Sequence, residues 1–101
     1  MSQSTKKQTA KLDLDVLENL LDEGRPSDAL AVLAEAKKKD AAAWFLTGEA
    51  QRQLGSFEDA LKSYAACLKV ADEAERRMDA LLAMAACYRT LGFLAREIAF
   101  L

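Results

Sequence analysis

Residues 44–69, WFLTGEAQRQLGSFEDALKSYAACLK, decide the fold. Trp44, Phe45, Gly48, Gln51 and Leu54 recur at near-helical spacing and give one helix an apolar edge. Gly55 then supplies the left-handed backbone that commonly ends a helix, because it has no side chain to clash. Ser56 is suited to cap a new helix, and Glu58 and Asp59 place negative charge in its first turn. Leu61, Tyr64, Ala65 and Leu68 make the second stripe, while Gly48 and Ala60 are small where two antiparallel helices must approach closely. The pattern predicts an αα-hairpin with a tight corner at Gly55.

The stretch has imperfect copies on both sides. Upstream, EGRPSDALAVLAEAKKK aligns with LGSFEDALKSYAACLKV and pairs Gly24 with Gly55, Ala29 with Ala60 and Leu33 with Tyr64. Downstream, LLAMAACYRTLGFL aligns with WFLTGEAQRQLGSF and pairs Leu81 with Trp44, Tyr88 with Gln51 and Gly92 with Gly55. The turn glycines stand 31 (55 − 24) and 37 (92 − 55) residues apart.

With Trp44, Gly48, Ala60 and Tyr64 in these places, the unit resembles the tetratricopeptide repeat, whose signature is W-x2-L-G-x2-Y followed by A-x3-F/Y and a proline. The mean glycine spacing matches the family period of about 34 residues. Thr47 stands where that signature has leucine, Gln51 where it has tyrosine and Asp72 where it has proline. The resemblance implies an all-α superhelix of antiparallel helical hairpins, about six helices, in one domain over 11–101 with repeats near 11–40, 41–74 and 78–101.

Taken in order, Met1 to Ala10 are polar and aperiodic and read as a tail. A helix is expected from Leu12 to Glu23, with Leu14, Leu17, Leu20 and Leu21 inward. A corner follows at Arg25-Pro26-Ser27, with Ser27 as a possible cap. The next helix is expected from Ser27 to Lys39, burying Ala29, Leu30, Leu33 and Ala36, with Lys37 to Lys39 placed favourably at its C-terminus. Asp72 to Arg77 prolongs the fourth helix or bridges to the fifth. The fifth, Met78 to Leu91, is the most apolar, and Gly92 is expected to end it. A short sixth helix from Leu94 carries Ile98, Phe100 and Leu101, which lack the polar capping face of a finished solenoid. They are expected to form an oligomer interface, most simply of a homodimer, or to meet the next repeat of a longer array.

The chain has 101 residues, about half of them hydrophobic, a formal net charge of −2 and a single proline. That is a helical globular composition with no general attraction to nucleic acid or anionic membrane. No apolar run approaches the length of a transmembrane helix, so a cytoplasmic protein is expected. Histidine is absent, and Cys67 and Cys87 lack the spacing of a zinc site, so no metal, cofactor or catalytic role is expected.

Family resemblance implies that peptides bind the concave face formed by the first helix of each pair. Projected here, that face selects Leu14 and Glu18, then Phe45, Glu49 and Arg52, then Leu82, Ala86 and Arg89. The lysine–asparagine clamp by which some members hold acidic tails of heat-shock proteins is missing. Leu14, Phe45 and Leu82 stand at its lysine places, and Glu18, Glu49 and Ala86 at its asparagine places. The groove should therefore be apolar at its centre, with Arg52 and Arg89 on one side and acids on the other. It suits an apolar or amphipathic segment of a protein client. An adaptor or small chaperone is the leading expectation. The alternative is a self-associating structural unit or a fragment of a longer array.

Overall fold

The computed structural model describes the backbone of residues 12–100 and the side chains of residues 12–95. Among them are five helices and no strand: α1 Leu14–Asp22, α2 Pro26–Ala34, α3 Ala41–Gln53, α4 Phe57–Val70 and α5 Ala74–Phe100. The fold is all-α, built from consecutive helices that turn back on one another. The expected tail and Lys11 lie outside the described residues, as does Leu101.

The two corners are the same object, 31 residues apart (55 − 24). Gly24 and Gly55 have φ of 73° and 81°, where any side chain would be strained. At the first, the Gly24 and Arg25 amides donate to Leu21 and Leu20 carbonyls; at the second, those of Gly55 and Ser56 donate to Arg52 and Gln51. Both are Schellman endings, which satisfy carbonyls the helix leaves free. The helix after each corner begins at the matching residue, Pro26 or Phe57. The aligned pairs Ala29/Ala60 and Leu33/Tyr64 are all buried. The repeat seen in the sequence is thus a repeat in space.

Neither corner uses serine as expected. Ser56 makes no capping hydrogen bond, and Ser27 lies inside the first turn of α2, because Pro26 is pre-organised for the first helical position. The capping residues are aspartates. Asp13 accepts from the Asp15 and Val16 amides, and Asp40 accepts from the Ala43 amide at 2.9 Å.

Helix α2 ends at Ala34, earlier than expected, so Lys37 to Lys39 lie in the link to α3 and not on a helix end. Lys39 instead sits over the Trp44 ring at 5.2 Å, a cation–π contact. In the 72–77 stretch, Arg77 donates to the Leu68 and Ala71 carbonyls at 2.8 and 3.4 Å, giving the end of α4 a cation.

Two cores result. Leu17, Leu21, Ala29, Leu33, Ala43, Leu46 and Ala50 join α1, α2 and α3; Ala60, Tyr64, Cys67, Ala71, Ala80, Ala83 and Cys87 join α4 and α5. The close approach expected at Gly48 exists, but its partner is Tyr64. A Cβ at Gly48 would meet the Tyr64 ring at 2.6 Å. Gln51, in the family's tyrosine place, accepts from Ser63 at 2.6 Å, and Thr47, in the leucine place, donates to the Ala43 carbonyl. These departures from the signature are hydrogen-bonded, so they cost little on burial.

Gly48→Ala should lower stability by about 1–2 kcal/mol, overpacking against the ring outweighing the better helix propensity of alanine. Thermal denaturation checks this, and a stabilised variant would contradict the Gly48–Tyr64 contact.

The largest difference from expectation is α5. No corner forms at Gly92, and one helix runs from Ala74 to Phe100. Its buried residues are small, Ala80, Ala83 and Cys87, whereas Leu81, Leu82 and Tyr88 are exposed. Small residues let α5 lie close against α4, which turns the large ones outward.

Candidate binding face

Three helices, α1, α3 and α5, share one side of the molecule, and two adjoining clefts run between them. Glu18, Leu21, Asp22, Phe45, Leu46, Glu49 and Gln53 line the cleft between α1 and α3. Phe45, Glu49, Arg52, Asp79, Leu82, Ala83 and Ala86 line the one between α3 and α5. Phe45 and Glu49 belong to both and join the two into one face.

Of the eight projected residues, these clefts bring six together: Glu18, Phe45, Glu49, Arg52, Leu82 and Ala86. Leu14 is partly buried against the first core instead. Arg89 is exposed and lines neither cleft. Ile98, Phe100 and Leu101, the expected oligomer interface, lie outside the described side chains. Asp22 was not projected, nor were Leu21, Leu46 and Ala83. The last three are core residues whose edges show in the clefts, and their apolar spacing is the only signal they carry in the sequence.

Beneath and along one edge of the face lies a linked polar and aromatic group. Tyr64, rising from α4, donates its hydroxyl to Glu49, and Arg52 donates to both Glu49 oxygens at 2.9 and 3.1 Å. Burial first, then the bond to Glu49, pushes the Tyr64 hydroxyl well above its ordinary range, so it remains a donor. Burial works against the Arg52 charge, but the Glu49 carboxylate outweighs it and holds the guanidinium protonated. Arg52 Nε is buried and finds no acceptor among the described residues. Phe45 packs on the Tyr64 ring, with centroids 5.6 Å apart, and the Arg76 guanidinium lies over the Phe45 ring at 5.2 Å.

This arrangement corrects one expectation. Arg52 does not oppose the acids across the groove. It neutralises Glu49 along one edge of α3, a pairing available to residues three apart on a helix. The face is therefore apolar over Phe45, Leu82 and Ala86, with a charge-balanced edge and Glu18, Asp22 and Asp79 at its margins.

The clefts measure about 250 and 270 Å³. Each is below the range of roughly 300–1,000 Å³ usual for small-molecule pockets, and each is a fair size for one large side chain. A third cleft of about 310 Å³, at the C-terminal end of α4, is lined by Asp40, Asp72, Glu73 and Arg76 together with Val70 and three alanines. Among the described residues no cluster of His, Cys, Asp or Glu could hold a metal ion. Cys67 and Cys87 are buried, and burial raises both thiols above their ordinary range.

Residues 74–95 of α5 are long and apolar enough to cross a membrane by length and composition alone, with a mean hydropathy of 1.3 in the best window. This length was not expected, because Asp79 and Arg89 interrupt the apolar residues and a corner was expected at Gly92. No protein-family model matches this chain, and no curated protein or solved structure matches it.

Proposed function

We propose that the chain is a protein-interaction module, a tandem helical repeat of the tetratricopeptide type. It holds an apolar or amphipathic segment of a protein client on the face made by α1, α3 and α5. The observation that carries this reading is the pair of adjoining clefts joined through Phe45 and Glu49. An amphipathic helix presents anchors one turn apart, and two neighbouring side-chain-sized clefts suit two such anchors. Phe45, Leu82 and Ala86 supply the apolar contact, and Leu82 is 62% exposed although it is a large hydrophobic side chain. Glu49 and Arg52 cancel, and Glu18, Asp22 and Asp79 leave the margins of the face acidic. An adaptor or a small chaperone would use such a surface. A catalytic role has little support, since histidine is missing and burial keeps both thiols protonated.

A displayed peptide library panned against the folded chain tests the proposal. Apolar, helix-forming peptides should be enriched, and Leu82→Glu should weaken the selected peptides about tenfold or more. Lys62→Glu, an exposed change on α4, should leave binding unchanged. Equal retention by both variants would rule this face out.

A further inference from the structure

Helix α5 has a second face that α4 leaves bare. Met78, Leu81, Ala85, Tyr88, Gly92 and Ala95 alternate in steps of three and four residues, and all six are exposed. Met78, Leu81 and Tyr88 retain 56%, 50% and 61% of their surface. This is the 3.5-residue period of a coiled-coil seam, and an exposed apolar stripe of that kind marks an interface.

The internal repeat says what shape would cover it. Leu81, Ala85 and Tyr88 align with Trp44, Gly48 and Gln51 of α3. On α3 those positions are covered by a helix, with Tyr64 on Gly48 and Ser63 bonded to Gln51. No described segment does the same for α5, because α5 continues straight past Gly92.

We propose that a second copy of the chain covers the stripe, with the two α5 helices antiparallel about a two-fold axis. The order of side-chain sizes carries the choice. In an antiparallel seam the two kinds of core position meet each other. Met78 then faces the partner's Ala95, Leu81 faces the partner's Gly92, and Ala85 faces the partner's Tyr88. Each layer sets a large side chain against a small one, which lets the layers interdigitate, and the symmetry repeats each layer. A parallel pair would set Met78 on itself and Gly92 on itself. The antiparallel register one heptad away would stack Met78 on Tyr88. Both match sizes worse. Leu82 flanks this seam as well as the binding face, but Gly92 belongs to the seam alone, so the two surfaces can be tested apart. A lipid bilayer is the other apolar partner for α5. It gains nothing from large-against-small order and would have to take up Asp79 and Arg89.

Light scattering of the full chain at micromolar concentration should give twice the chain mass. Gly92→Leu should reduce it to the single mass while helicity is kept or improved. A Cβ at Gly92 meets nothing within 4 Å, so the fold itself tolerates the change. Adding Leu81→Ala to Gly92→Leu exchanges large for small in that layer and should restore the dimer. Wild type at single mass, or Gly92→Leu at double mass, would overturn the proposal. So would wild type and Gly92→Leu floating equally with neutral phosphatidylcholine vesicles, which would make the stripe a membrane face. None of these results bears on whether Leu82→Glu loses the panned peptides.

Discussion

Tyr64→Ala is expected to cost the fold about 3–5 kcal/mol, the range for removing a buried aromatic side chain. Tyr64 is fully buried, lies on Gly48, supports Phe45 and bonds to Glu49. From beneath, it joins the α3–α4 contact to Phe45 and Glu49 of the candidate face. Tyr64→Phe separates its two roles. The ring stays on Gly48, and only the hydroxyl bond to the Glu49 carboxylate is lost, about 1.5–3 kcal/mol for a bond to a charged group. Urea denaturation of the two variants and wild type measures both steps. If Tyr64→Ala were no worse than Tyr64→Phe, the ring would not be packed as described.

A loss of about 2–5 kcal/mol is expected for Leu17→Ala, against a change within about 0.5 kcal/mol for Val16→Ala next to it. Leu17 is fully buried in the first core, whereas Val16 is 46% exposed on the other side of α1. Both variants keep the Asp13 cap and the Gly24 ending, so the difference reports the packing of α1 against α2 and α3. Comparable melting temperatures for the two would mean that α1 is not docked.

Most of the fold was legible because its corners combine several local signals. Gly55 comes with Ser56, Glu58 and Asp59, and Gly24 comes with Pro26 and Asp28, so helix stop and helix start agree at each. Gly92 carries only the first kind of signal. It is followed by Phe93, Leu94 and Ala95, with no capping side chain and no proline, and a glycine without a restart signal is merely a weak point that α5 passes through. The face projected from the resemblance places Phe45, Glu49, Leu82 and Ala86 at equivalent positions of α3 and α5, and one cleft brings these four together. Arg89, projected in the same way, lines neither cleft because a cleft needs a third wall, and α5 has no neighbour beyond it among the described helices. The Glu49–Arg52 pair was readable as a three-residue spacing. Its hydrogen bond from Tyr64, which comes from another helix, was not.

The most direct test of the central claim is an amide chemical-shift map of the isotopically labelled chain titrated with a panned apolar peptide. The largest shifts are expected at Phe45, Glu49, Leu82 and Ala86, extending to Glu18, with α2 and the outer side of α4 at Lys62 unmoved. Shifts centred on α2 or on Lys62, with Phe45 and Leu82 unmoved, would contradict it.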